Sequence, residues 1–267
     1  YCGGGIYECN QEDCPDTINY CLDLHEGANL ISFYGLPDDA SITNMVSSIE
    51  GIATGVIGAG EAANYSETDG WMGSLSTISS TDGYWVIMND IASLCIIDAM
   101  PTNTTIVYNL HVGANLISFP AEGSINIGAG LPDDIEGSIS GIIGEGVAAN
   151  NVNGVWSGSL SAFAGGEGYW VITTDFISFS FELSSLARIK PSYSLGLTFF
   201  PGFETFQSTQ QAFYFINEIK TESADELNDG WIISYHYGKV TGSREWKGDL
   251  IDIPVMGIDG NSYSQGY

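Results

Sequence analysis

The chain has 267 residues, and 44% of them are hydrophobic, which is enough apolar material for two or three packed cores. Its formal net charge is −27, and all six lysines and arginines follow residue 187. A field of this sign repels phosphate backbones and anionic lipid heads, so the composition argues against nucleic-acid and membrane-surface binding. No apolar run approaches the roughly 18 to 20 residues that span a bilayer, and no membrane insertion is predicted.

The first 20 residues read as a Cys-rich arm. Together with the start of the next segment they hold four of the five cysteines, which are Cys2, Cys9, Cys14 and Cys21. Disulfides would support such a small, Gly-rich segment. A Zn²⁺ site is the alternative, although the spacings include no C-x-x-C pair. The chain starts at Tyr1 without Met, as a processed export product would, and an extracellular or cell-surface location is predicted.

A long internal repeat organises the next part of the chain. The decapeptide LHEGANLISF at 24–33 returns as LHVGANLISF at 110–119, with nine of ten letters the same. GIATGVIGAGEAAN (51–64) matches GSISGIIGEGVAAN (137–150), and DGYWVI (82–87) matches EGYWVI (167–172). The repeat predicts two tandem homologous domains over 20–100 and 106–185.

Both copies read as mainly β, with short alternating apolar segments separated by Gly-rich turns. One short helix is predicted in SITNMVSSI, where Ile42, Met45, Val46 and Ile49 share a face and Asp39 or Ser41 can cap it. The second copy offers DDIEGSI, about one turn. Cys21 and Cys95 fall on the predicted opening and closing strands of the first copy, and we expect them to form a disulfide, which leaves one cysteine without a partner in the chain.

A connector over 186–201 leads to a third unit over 202–267. Its predicted strands are QAFYFINEI, WIISYHYG and KVTGSREW. The unit is shorter than the roughly 100 residues of a seven-stranded sandwich, so we expect a small β-sandwich-like module that lacks an edge strand.

The repeat argues against a catalytic site. His25 and His111 occupy the same position of the two copies, so neither is a unique catalytic base, and neither copy has a Lys or Arg to stabilise an anion. No G-x-S-x-G elbow, phosphate loop or dinucleotide fingerprint occurs. The tryptophans also pair by repeat position, which favours a role in the cores over one in sugar-binding platforms. No enzymatic activity is predicted.

The sequence also contains candidate metal and glycosylation sites. Oxygen-rich turns at ETDG, NNVNG, ELNDG and MGIDGNS could hold a structural Ca²⁺, although none follows the EF-hand pattern. The candidate ligands are Asp69, Asn151, Asn153, Asp229 and Asp259. Two sequons mark Asn64 and Asn103 as candidate glycosylation sites. No other cofactor is predicted.

GANLISF followed by GYWV resembles a repeat module of large secreted and surface proteins of environmental bacteria, with the signature GxNLISxP…GxGYWV. The third unit, with STQQAFYFI, VTGSREW and DIPVMGIDG, is similar to a module that accompanies it. A narrower resemblance is to subunits of extracellular helical filaments from fresh water. The resemblance implies self-assembly into a fibre, with a strand passed between neighbours.

The sequence therefore predicts a structural subunit of an extracellular filament or surface appendage, which assembles head-to-tail with copies of itself. The Cys-rich arm is a candidate donor strand, because a unit that lacks a strand can be completed by one from another chain. The alternative is a cell-surface adhesin or carbohydrate-binding protein that uses exposed aromatic residues. A secreted hydrolase with paired carboxylates is the third hypothesis.

Overall fold

The computed structural model describes residues 16–187, 200–220 and 229–267. The predicted fold class is confirmed: the chain is mainly β, with many antiparallel pairings and three short helices among the described residues. Cys2, Cys9 and Cys14, with nearly all of the arm, lie outside the described residues, as does most of the connector 186–201. None of the described helices has the length and hydropathy needed to cross a bilayer.

Repeat 1 contains eight strands, which are β1 (Ile18–Leu24), β2 (Gly27–Ser32), β3 (Gly35–Leu36), β4 (Ala53–Ile57), β5 (Ala62–Ser66), β6 (Gly70–Gly73), β7 (Gly83–Met88) and β8 (Ala92–Pro101). Five of them form an antiparallel sheet in the order β2-β7-β4-β5-β6, and a smaller sheet has the order β1-β8-β3. A single cluster of 21 buried residues, from Tyr20 to Ala99, forms the core of the repeat.

The predicted helix of repeat 1 is present but short. Helix α1 covers Ile42–Met45, and Ser41 caps it by accepting a hydrogen bond from the Asn44 amide. A 3-10 turn at Ser47–Ile49 continues the apolar face, so the four predicted core positions of this segment are buried.

Repeat 2 contains nine strands, which are β9 (Tyr108–Leu110), β10 (Gly113–Ile117), β11 (Ser124–Asn126), β12 (Ile139–Ile143), β13 (Ala148–Val152), β14 (Val155–Gly158), β15 (Ala162–Ala164), β16 (Tyr169–Thr173) and β17 (Ile177–Phe179). The five-stranded sheet recurs in the order β10-β16-β12-β13-β14, with two small pairs, β11-β15 and β17-β9, beside it. Two one-turn helices, α2 (Ile127–Gly130) and α3 (Asp133–Glu136), replace α1.

The repeated decapeptide forms the same turn in both copies. In repeat 1 the Asn29 side chain accepts a hydrogen bond from the His25 amide (2.9 Å) and donates one to the His25 carbonyl (2.9 Å). Asn115 makes the same two bonds with His111, at 2.9 and 2.7 Å. Gly27 has a φ of 97°, which favours glycine. The decapeptide recurs because this local turn requires its Gly and Asn.

The third unit contains β18 (Gln211–Ile216), β19 (Gly230–His236), β20 (Lys239–Trp246) and β21 (Ile251–Met256). The last was not predicted. By backbone hydrogen bonds the strands form two pairs, β18-β21 and β19-β20, and β20 lies against β21, where Arg244 donates to the Asp252 carbonyl at 2.9 Å. Among the described residues of this unit, only four hydrophobic side chains are buried, and they are Trp246, Ile253, Met256 and Tyr267. The unit has much less core than either repeat.

Cys21 and Cys95 form a disulfide, as their positions on the opening and closing strands led us to expect. They are directly opposed in the antiparallel pair of β1 and β8, with Cα atoms 4.0 Å apart. The bond closes a loop with a sequence separation of 74 residues, which contains most of repeat 1.

Replacing both cysteines, Cys21→Ser with Cys95→Ser, should lower the free energy of unfolding of repeat 1 by about 2–5 kcal/mol, because the unfolded chain regains the entropy of an open loop. Denaturant unfolding followed by tryptophan fluorescence measures the loss. Reduction of the wild-type disulfide serves as the matched comparison. Unchanged stability in the double variant would contradict the expectation.

Candidate functional site: the junction of the three units

The two repeats meet through equivalent backbone groups. The Ser32 amide donates to the Gly166 carbonyl (2.9 Å), and the Ser118 amide donates to the Thr81 carbonyl (2.9 Å). Ser32 and Ser118 are counterparts in the duplicated decapeptide, and Thr81 and Gly166 each precede a copy of the GYWVI segment. Each repeat therefore offers the same two segments to the other. Such an exchange is the pattern of an isologous, two-fold interface, here formed within one chain.

Close backbone approach at this interface requires glycine. A Cβ placed on Gly83 would lie 2.8 Å from a Leu116 methyl carbon and 3.0 Å from the Ile117 carbonyl oxygen. A Cβ on Gly168 would lie 2.7 Å from the Ile31 carbonyl oxygen. A buried apolar cluster fills the interface beside these contacts. It consists of Ala28, Leu30, Trp85, Ile87 and Leu116, with Trp170 and Tyr263 packed against it.

Residues 144–146, in the loop between β12 and β13, contact both other units, and we name these three residues the junction loop. One carboxylate oxygen of Glu145 lies 2.5 Å from Nε2 of His25. The other accepts a hydrogen bond from the Leu30 amide at 2.7 Å. Both partners belong to repeat 1, so this side chain ties the repeats together.

The backbone of the junction loop binds the third unit. The Gly146 amide donates to the Gln211 side chain at 3.2 Å, and the Gln211 amide group donates to the Gly144 carbonyl at 3.1 Å. Arg244 donates to the Gly146 carbonyl at 2.7 Å. One three-residue loop therefore holds three units in contact.

A buried ion pair supports this dock. Arg244 pairs with Asp252 at 3.0 Å, and the Asp252 side chain is fully buried. The same carboxylate also accepts hydrogen bonds from the Ser159 amide and hydroxyl of repeat 2. A buried carboxylate is stable only when its oxygens are satisfied, and here the satisfying groups come from two units. Separating the third unit from repeat 2 would leave Asp252 without part of its set of donors.

The two duplicated histidines differ in their surroundings. The Nδ1 atoms of His25 and His111 lie 2.7 and 2.9 Å from the carbonyl oxygen of the following residue. Burial by itself lowers the pKa of His25, but the hydrogen bond and charge of Glu145 outweigh it, and the pKa rises to about 9. His25 is therefore charged at neutral pH. Among the described residues no carboxylate pairs with His111.

The predicted Ca²⁺ ligands serve their own turns. Asn151 accepts a hydrogen bond from the Gly154 amide (2.8 Å), and Asn153 has a φ of 54°, so this segment is a hairpin turn. Asp259 accepts hydrogen bonds from the Tyr263 hydroxyl (2.8 Å) and the Ser264 hydroxyl (2.7 Å). Burial raises its pKa, but these bonds and two from backbone amides lower the pKa overall.

The other two candidate ligands, Asp69 and Asp229, are exposed, and Thr68 donates to Asp69 at 2.8 Å. Within the described residues no group of three or more His, Cys, Asp or Glu side chains could hold a metal ion. The structure thus brings none of the candidate ligands together. The side-chain oxygens of Asp69, Asn151 and Asp259 accept hydrogen bonds from residues of their own turns.

The sequon residues Asn64 and Asn103 are both exposed. Asn64 lies on β5, and the Asn103 side chain accepts a hydrogen bond from the Thr105 amide at 3.0 Å. Trp85 is 3% exposed and lies in the inter-repeat cluster, with Trp170 packed against it. Trp71 and Trp156 are half-buried and pack against the cores of their own repeats.

Sequence reasoning missed Glu145, although the aligned repeats contained a signal. The counterpart of Glu145 in GVIGAGEAAN is Ala59. Repeat 2 therefore has an acid where repeat 1 has a small residue, and in both repeats this position lies between two glycines. The difference marks a position at which the two repeats make different contacts. Arg244 and Asp252 gave a weaker signal: Arg244 is an arginine within the predicted strand KVTGSREW, and Asp252 is an acid in strand β21, which was not predicted.

Comparisons with protein-family models, with curated proteins and with solved structures returned no match.

Gly83→Ala and Gly168→Ala should each destabilise the protein by about 1–3 kcal/mol, because the added Cβ overpacks the interface between the repeats. Gly137→Ala is the matched control: its Cβ position has no atom within 4 Å and its φ is −62°, so we expect no loss. Denaturant unfolding measures all three. Equal stability of the interface variants and the control would contradict the close approach.

The stability of the wild type should fall as the pH rises from 6.5 to above 9. The pKa of His25 is raised in the folded protein relative to about 6.5 in the unfolded chain, so its contribution is complete below 6.5 and disappears through about 9. Glu145→Gln should remove about 1–3 kcal/mol at pH 6.5 and flatten this dependence.

Glu26→Gln is the control for this experiment, because Glu26 is exposed and adjoins the same histidine through its backbone. Thermal unfolding at pH 6.5 and pH 9.5 gives the comparison. If the stability of Glu145→Gln depends on pH as the wild type does, the ion pair is not the source of the pH dependence.

Proposed function

We propose that the protein is a structural subunit of an extracellular filament or surface appendage and assembles head-to-tail with copies of itself. The observation that carries the proposal is the incomplete third unit. By backbone hydrogen bonds each of its four described strands pairs with one other described strand, and β20 also lies against the backbone of β21. The outer strands β18 and β19 contain no buried residue. Open strand edges and half-covered aromatic side chains are surfaces that another chain can complete.

The third unit is firmly attached to the repeats, and this attachment gives the proposed contact between copies a direction. One side of the unit is held on the repeats by Gln211, Arg244 and Asp252, so its open edges belong to a fixed part of the molecule. A contact between these edges and a different surface of the next copy is heterologous. Heterologous contacts that do not close produce a filament. The segment 1–15, which lies outside the described residues, is the candidate donor of a complementing strand.

An extracellular location is supported by the Cys21–Cys95 disulfide, because such bonds persist in oxidising compartments. The acidic surface of the repeats supports it as well. Because no Lys or Arg precedes residue 188, the repeats of different copies repel each other when they lie side by side. This repulsion favours contacts that are made through the third unit.

The carbohydrate-binding alternative requires exposed aromatic rings. All six tryptophans are buried or half-buried, while Tyr214 (62% exposed) and Tyr237 (98% exposed) lie on the third unit. These tyrosines favour a protein contact or a sugar contact at that unit. A glycan array on the wild type and on Tyr237→Ala separates the two functions.

The purified protein should sediment as a polymer and form filaments by negative-stain electron microscopy at neutral pH. Dilution should release subunits, since each contact is non-covalent. Removal of residues 1–15 tests the donor role of that segment. A wild type that stays monomeric at high concentration in analytical ultracentrifugation would overturn the proposal.

A further inference from the structure

The pseudo-two-fold relation between the repeats creates two equivalent surfaces, and the third unit covers only one. The covered surface combines Gly27 and Ala28 of repeat 1 with the junction loop and Ser159 of repeat 2. Exchanging each repeat for the other gives the second surface, which we name the bare surface. By repeat position it combines residues 58–60 and Ser74 of repeat 1 with Gly113 and Ala114 of repeat 2, and the side chains of Ile57, Met72 and Val112 lie within two residues of these positions in the sequence.

The exposure of counterpart residues differs as this relation requires. Ala28 is fully buried, because Gln207 and its neighbours cover it, whereas its counterpart Ala114 is exposed. Ser159 is half-buried against Asp252, whereas its counterpart Ser74 is exposed. The same fold therefore presents one docking surface that is occupied and one that is open among the described residues.

The exposed residues beside the bare surface are more apolar than their repeat counterparts. Met72 stands where repeat 2 has Ser157, and Val112 stands where repeat 1 has the exposed Glu26. The side chains of Met72 and Val112 are 52% and 51% exposed. Exposed apolar side chains gain nothing from contact with water, and a surface that carries several of them is typical of a contact surface. Glu61, at the position that Val147 occupies in repeat 2, adds an acidic group to the rim.

The third unit has an exposed turn toward the end of β20 that lies away from the docked Arg244. Residues 235–239, which are the turn between β19 and β20 with the adjoining ends of both strands, are named the hairpin tip. Tyr235 is 55% exposed and Tyr237 98% exposed. The docked residue Arg244 lies five residues further along β20, about 17 Å from the tip for an extended strand. The unit can therefore dock on its own repeats and reach another molecule at the same time.

The conformation of Tyr237 also singles out the tip. Its φ is 44°, in the left-handed region that glycine and asparagine tolerate and that costs an aromatic residue about 1 kcal/mol. Large aromatic side chains at projecting positions commonly anchor protein contacts. A tyrosine in this position extends fully from the surface and provides such an anchor.

The charge distribution favours a second copy of this chain as the partner. The repeats carry no Lys or Arg, and every base of the chain follows residue 187. Lys239 closes the hairpin tip, and its Nζ lies 4.3 Å from the centre of the Tyr267 ring. A tip that carries tyrosines and a lysine complements an apolar surface with an acidic rim.

We propose that the bare surface of one copy binds the hairpin tip of the third unit of the next copy. The inference rests on the proposed function and specifies the contact that would propagate the filament. The contact joins two different surfaces, so each copy uses one of each, and the assembly has a direction and no fixed end.

Two variants separate the halves of the contact. Met72→Glu with Val112→Glu disables the bare surface and leaves the tip intact. Tyr237→Asn disables the tip and keeps its turn, because Asn is favoured at positive φ. Each should raise the critical concentration for assembly about thirty-fold or more, as expected for loss of an anchor contact. Ile97→Glu, at a 55% exposed position of β8 in a different sheet, is the control and should assemble like the wild type.

Mixing the two defective variants gives the decisive result. One supplies an intact tip and the other an intact bare surface, so the mixture should form one-to-one dimers that cannot extend. Analytical ultracentrifugation distinguishes monomer, dimer and polymer, and circular dichroism confirms that each variant is folded.

Three outcomes would overturn the inference. If both variants assemble like the wild type and the control, another surface propagates the filament, and the proposed function stands. If the variants are monomeric alone and in the mixture, the tip and the bare surface do not bind each other. If the wild type itself remains monomeric, the proposed function fails, and the inference fails with it.

Discussion

The carboxylate of Glu145 lies where the three units meet, and their relative arrangement depends on it. It binds the charged His25 ring and the Leu30 amide of one repeat, while the backbone of its own loop binds Gln211 and Arg244 of the third unit. Removing one partner of such a half-buried ion pair leaves a charge without compensation, which is more costly than the pair is stabilising. Three small units with separate cores behave as one body because this loop satisfies groups on both sides.

A duplicated domain tends to form a symmetric pair, and this chain then makes the pair asymmetric. The exchanged Ser32 and Ser118 bonds are equivalent in the two repeats, as are the glycines that allow close approach. Divergence at surface positions breaks this equivalence: repeat 2 has Glu145, which pairs with His25, where repeat 1 has Ala59. A symmetric pair offers two like surfaces and closes on itself, whereas an asymmetric one has a direction. Direction is what a head-to-tail polymer requires.

The third unit combines a firm attachment with an incomplete structure. Its buried ion pair, Arg244 with Asp252, shares its hydrogen-bond donors with repeat 2, so the unit is stabilised from outside its own core. With few buried hydrophobic residues and strands that have a single partner each, it gains most from neighbours. Its dependence on repeat 2 therefore has a simple physical origin, since the core formed by the described residues of the unit is small.

Local patterns made much of the fold predictable. The period-two strands, the Gly-Ala-Asn turn, the Ser41 cap and the opposed positions of Cys21 and Cys95 all depend on residues near one another in sequence or on one pair of strands. Strand β21 was missed because Pro254 interrupts its pattern, and helix α2 because IGAG contains two glycines. The metal candidates failed to converge because turn-forming Asn and Asp side chains bond first to the nearest backbone amides.

The amino-acid sequence by itself determined the duplication, the β-rich class and the role of the repeated decapeptide as a turn. Only the tertiary structure decided which surfaces of the repeats meet, that Glu145 binds a histidine 120 residues away, and that one of two equivalent surfaces is covered. The physical reason is that residue periodicity reports whether a side chain faces a core. Contacts between finished domains depend on shape and on a few charged groups, whose partners are fixed by the three-dimensional arrangement alone.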